Sequence, residues 1–135
     1  MQSVVFQLAV IVLFLVVFAE ASLSKLLARE LPDWFRDQFK DSWLGKLVPM
    51  PLLYWPIALA ELVIAGLFVM SLVFLEFKTG VPNVYMGWGC LGAMFLFAGL
   101  CFGQRVTYDY AGAANSFYYS ALSGVLWYLV TRVVI

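Results

Sequence analysis

The sequence predicts an all-α integral membrane protein, a bundle of four transmembrane helices with an interfacial amphipathic helix between helices 1 and 2. Three observations carry this. Of 135 residues, 64% are hydrophobic and only 12% are charged, about half the charged share with which a soluble domain covers its surface. Four apolar runs long enough to cross a bilayer are separated by breakers and charges. Glycine (10 residues) and aromatic side chains (18%) are plentiful, as expected where helices pack closely and rings sit at the membrane interface.

The first span covers about residues 4–28 and is almost wholly apolar to Ala19. Ala19-Glu20-Ala21 follows an apolar core as a signal-peptide cleavage site does, but the residues before that core carry no Lys or Arg. The run is therefore read as a retained helix. At about 32–46, Trp34, Phe35, Phe39, Trp43 and Leu44 recur at helical spacing. Asp33, Arg36, Asp37, Lys40 and Asp41 fill the opposite face, and Pro32 suits a first helical position. A helix of this pattern lies in the plane of the interface.

Pro49, Pro51 and Pro56 punctuate the entry to a second span, about 52–77, interrupted by Glu61. The turn Lys78-Thr79-Gly80-Val81-Pro82-Asn83 ends it. A Gly-rich third span covers about 84–103, and Gln104 to Asp109 form a polar junction. The fourth span, about 110–134, opens on Ala111, Gly112, Ala113 and Ala114. Together these make one transmembrane domain, 1–135. A soluble bundle would need polar helix faces, and these segments lack them.

Four crossings put both termini on one side. Lys25, Arg29, Arg36, Lys40 and Lys46 lie at the link between spans one and two, and Arg105 at the link between three and four. Lys78 and Arg132 lie on the other side. The positive-inside rule then places the first link in the cytoplasm and both termini outside, in a cytoplasmic membrane of bacterial or archaeal type.

Several function classes drop out. Net charge is zero with no basic run, which argues against a nucleic-acid partner. The chain has no His, so His-ligated haem, His-containing di-iron or zinc sites and a Ser-His-Asp triad are excluded within it. Cys90 and Cys101 on one helix stand roughly 16 Å apart along the axis, too far to bridge. No metal constellation or phosphate loop is visible. The expected partners are the bilayer and other membrane subunits, with no covalently bound cofactor and a quinone or lipid as the conceivable non-covalent ligand.

Glu61 is the leading candidate for chemistry. It lies about nine residues into the second span, at roughly 13–14 Å depth by helical rise. A bare charge there costs a few kcal/mol or more, so the acid must be protonated, paired or facing a polar cavity. Glu20 stands near the interface with Lys25 five residues on. Arg105 and Asp109 are spaced for an i, i+4 ion pair, although Arg105 could instead reach Glu61. Asn115 suggests an interhelical hydrogen bond beside small residues. Tyr108 and Tyr118, with Tyr110 and Tyr119, are belt residues or the lining of a quinone head-group pocket.

The stretch from Phe18-Ala19-Glu20-Ala21-Ser22-Leu23-Ser24-Lys25-Leu26 through an amphipathic link to Ala60-Glu61-Leu62-Val63-Ile64-Ala65-Gly66-Leu67, with Gly103-Gln104-Arg105, Asp109-Tyr110-Ala111-Gly112 and Asn115 later, resembles the DoxX/DoxD-like family of small four-helix membrane proteins. Lys25 and Glu61 fall on recognisable positions of that family. Glu20 and Ser22 stand where a Gly before the Lys is expected, and the link is longer and more charged. The resemblance implies a redox-associated subunit of a larger membrane complex, acting as an accessory or scaffold component. The alternatives are a quinone-binding component of a thiosulfate- or thiol-linked oxidoreductase, and a small carrier or proton path through Glu20 and Glu61.

Overall fold

The computed structural model describes residues 2–133, and among them the regular structure is helical throughout. Residue 134, the end of the expected fourth span, lies outside the described residues. The first helix, α1 (Gln2–Ala28), is built largely from Val, Leu and Phe. Val is a modest helix former in water, but in lipid every backbone group must be satisfied within its own segment, and a helix does that. The helix closes on Arg29, whose backbone is left-handed (φ 57°) and whose N–H donates to the Lys25 carbonyl at 3.2 Å.

The expected single interfacial helix is two short ones, α2 (Asp33–Phe39) and α3 (Trp43–Leu47). Ser42 makes the break: its hydroxyl donates to the Phe39 carbonyl at 2.7 Å and accepts from the Gly45 N–H at 2.9 Å, so it caps α3. Phe35 and Phe39 bury against Tyr54, while Trp34 and Trp43 stay exposed. This leaves rings on both sides of the link, one set packed on the protein and one turned outward. Gly45 has no room for a side chain, because a Cβ there would collide with the Phe39 backbone carbonyl. Gly45→Ala is expected to destabilise the α2–α3 corner by about 1–3 kcal/mol, read as a lower melting temperature in detergent. Gly66→Ala, in open space, should show no such loss.

Next come α4 (Met50–Val73), α5 (Val84–Val106) and α6 (Tyr110–Tyr128), the last continued by a π-helical turn, Leu129–Val133. The second span begins two residues earlier than the sequence reading and ends four earlier, because Leu75 turns left-handed (φ 57°). The third runs on to Val106. Tyr108 (φ 63°) then reverses the chain, and the Asp109 carboxylate caps α6 by accepting from the Gly112 N–H at 3.1 Å.

Three of these helices, α1, α4 and α5, are long and apolar enough to cross a membrane. They mark the chain as an integral membrane protein. Its apolar side chains point both ways: Ile11, Phe14, Phe18, Phe68 and Met86 form a core, while Val16, Leu59, Val69, Phe95 and Leu122 remain exposed. Such an outer surface is compatible with contact with a lipid bilayer. The α1–α4 contact is antiparallel, with Phe14 stacked on Phe68 at 4.8 Å between centroids. Gly89 of α5 admits the Phe68 ring, which a Cβ would meet at 2.7 Å. Polar bonds tie α5 to α6. Ser120 Oγ donates to the Met94 carbonyl at 2.8 Å, and Asn83 Nδ2 donates to the Val130 carbonyl in the π turn at 2.6 Å.

Candidate functional site

Two helices meet at unequal depth to make the site. Lys25 lies in the last turn of α1, where the carbonyl end of the helix favours a cation. Glu61 lies near the middle of α4. The antiparallel register that stacks Phe14 on Phe68 also brings these two charges together. Lys25 Nζ contacts both Glu61 carboxylate oxygens at 2.7 Å. Glu61 is 5% exposed and the Lys25 side chain 22%. Lys25 Nζ also lies 5.9 Å from the centroid of the Tyr54 ring, at the outer limit of a cation–π contact.

The first half of α4 would project past the end of α1 were it not covered. The link supplies the cover. Phe35, Phe39, Leu31 and Leu44 pack on Tyr54 and Leu53. Phe39 also reaches Gly103 near the end of α5, and Gln38 Nε2 donates to Thr107 Oγ1 at 2.9 Å. The link is therefore a cap over one end of the helices. The cap also changes the apparent depth of Glu61. Counted from Met50, Glu61 lies roughly 16 Å along its helix. Yet Arg29, Asp33 and Arg36 line a crevice with Trp55, and Trp55 is only about 9 Å from Glu61 by helical rise. The ion pair thus lies only about two helical turns along α4 from the charged crevice.

The other expected residues do not join this pair. Glu20 is exposed, and Lys25 turns to Glu61 instead. Arg105 and Asp109 form no ion pair: Arg105 lies over the Tyr110 ring at 4.8 Å and Asp109 is spent on the α6 cap. Asn115 is exposed, and its neighbour Ser116 makes the interhelical contact, to Gln104 at 2.6 Å. With its amide nitrogen turned to the acceptors around it, Gln104 also donates to the Gly112 carbonyl at 2.9 Å. Tyr108 and Tyr118 face outward, Tyr108 at 79% exposure. An aromatic cleft does exist, but elsewhere. It has a volume of about 460 Å³ between the link, α4 and α5, with Phe35, Phe39, Phe95 and Phe102 on its walls and the amides of Gln38 and Gln104 at its edge.

One functional-looking acid was missed by the sequence reading. Glu76, 2% exposed, accepts from the Tyr85 and Met86 N–H groups at 2.7 and 2.8 Å. It caps the start of α5 from the preceding turn. The sequence signal was an acid flanked by Leu75 and Phe77 just before a breaker-rich loop. Cys90 and Cys101 both lie on α5 as free thiols, and no cluster of three or more His, Cys, Asp or Glu suited to a metal occurs among the described residues.

These features define an integral membrane protein whose buried ion pair fastens two spanning helices under an amphipathic cap. No protein family, curated protein or solved structure compared with the chain matches it.

Proposed function

We propose that the chain is a DoxX-like, four-span accessory subunit of a larger redox or energy-converting membrane complex, serving as a scaffold for partner subunits. The observation that carries this is the Lys25–Glu61 pair. Both oxygens of Glu61 are engaged by one ammonium from the neighbouring helix, an arrangement that supports a structural role. Such a pair clips helices together. In this reading α6 is the fourth crossing. It runs antiparallel to α5, and Ser116 and Ser120 lower its apolarity because its inner face hydrogen-bonds to Gln104 and the Met94 carbonyl of α5. The charged link faces the cytoplasm and both termini face out.

A second reading is favoured by the aromatic cleft under the cap: a quinone ring would sit among Phe35, Phe39, Phe95 and Phe102, with Gln38 and Gln104 able to hydrogen-bond its carbonyls. One experiment addresses both. The tagged chain, purified from its native membrane in mild detergent, is expected in a stoichiometric complex with a cofactor-bearing partner and without bound quinone of its own. Recovery as a lone chain would overturn the scaffold reading. Quinone retained by the isolated chain, and lost in Gln104→Leu, would establish the second.

A further inference from the structure

The crevice above the ion pair holds two cations and two anions that do not use one another. It is lined by Arg29, Glu30, Leu31, Asp33, Arg36 and Trp55, with a volume of about 400 Å³. All four are exposed, so each is open to a ligand. Here no side-chain ion pair or hydrogen bond joins Arg29, Glu30, Asp33 or Arg36 to another described residue, and the ion pairs that do form are Lys25–Glu61 and Lys40–Asp37. The walls around it are those of a membrane interface. Leu27 on the last turn of α1 is exposed, as is Trp34 on α2, and Trp55 reaches in from α4. Exposed apolar surface directly beside a charged crevice is where acyl chains continue from a polar head.

We propose that this crevice binds the head group of a zwitterionic phospholipid bearing a primary ammonium, of the phosphoethanolamine type. The phosphate takes Arg29 and Arg36, whose planar donors match its oxygens. The ammonium takes Glu30 and Asp33. Charge balance sets the class. Two guanidiniums and two carboxylates sum to zero, as does the head group, whereas a purely anionic head would meet two uncompensated acids. A quaternary choline head would present no N–H donors to them. Arg29 holds its guanidinium there from a left-handed backbone position (φ 57°) that glycine would occupy at lower cost.

Native mass spectrometry of the delipidated full chain, titrated with phosphatidylethanolamine, phosphatidylcholine and phosphatidylglycerol of matched chains, tests the assignment. The expected result is at least about a tenfold preference for phosphatidylethanolamine over each of the others, the size of one good charged contact. Arg36→Gln and Glu30→Gln should each abolish that preference. Arg29→Gly should abolish it while leaving thermal stability equal or higher, since glycine suits the backbone; this separates loss of a ligand contact from loss of fold. Asp37→Asn, outside the crevice, should leave the preference intact. Equal binding of the choline lipid, or preference for the glycerol lipid, overturns the proposal. So does displacement of the lipid by soluble phosphoethanolamine at equal concentration, which would assign the crevice to a water-soluble ligand.

Discussion

Lys25→Met is expected to cost about 3 kcal/mol or more, within the range for removing one partner of a buried ion pair, while Glu61→Gln should cost only about 1–2 kcal/mol because the freed ammonium can extend to the interface. The asymmetry follows from burial. Glu61 is 5% exposed and sits on a helix interior, so without Lys25 it has no route to water. It would remain a buried, poorly satisfied acid. Lys25 is in the last turn of α1, one-fifth exposed, with a flexible stem. Lys25→Met/Glu61→Gln removes both charges with little change of volume, and should cost clearly less than the sum of the two single changes. Unfolding of the four proteins in one lipid–detergent mixture measures this as a double-mutant cycle. Additive losses would show that the pair does not hold α1 to α4.

Much of the architecture is legible in the sequence because lipid imposes one rule on every residue of a span. The apolar runs, the prolines before α4 and the breakers of residues 78–83 locate the helices without tertiary knowledge. Glu61 stands out for the same reason, as the acid deep inside the second apolar run, whereas Glu76 lies at its end beside the breakers. Its partner does not. Lys25 is the nearest base to Glu20 in sequence, and only the antiparallel offset of α1 against α4 carries it to Glu61. The i, i+4 spacing of Arg105 and Asp109 promised a pair that fails because Tyr108 adopts a left-handed backbone between them. Rings behave likewise. A cluster of tyrosines is a composition, and whether it lines a cavity depends on which helix face meets a neighbour. Here Tyr108 and Tyr118 face out, while Phe39 and Phe102, distant in sequence, share a cleft.

Glu76 gives the other large expected effect. Its two carboxylate oxygens accept from successive N–H groups, Tyr85 and Met86, in the first turn of α5. A helix leaves such donors without internal partners, and the capping position itself, Asn83, turns its side chain away to Val130. Glu76→Ala would strand both donors where water has little access. At about 1–3 kcal/mol for each buried orphan, the expected loss is about 2–5 kcal/mol, enough to fray the start of α5. Glu76→Gln preserves shape yet keeps one acceptor and sets an NH2 group against the second N–H, so it should recover less than half of that loss. Glu76→Asp keeps the charge but shortens the reach, and should lose less than Glu76→Gln. Amide hydrogen exchange at residues 84–87 in detergent reads the effect locally, and acceleration should be greatest for Ala and least for Asp. The Lys25–Glu61 level is many turns away and should stay protected, since couplings decay over such distances. If exchange rose equally at both ends, Glu76 would be sustaining the whole assembly of helices, and its role as a local cap for α5 would be wrong.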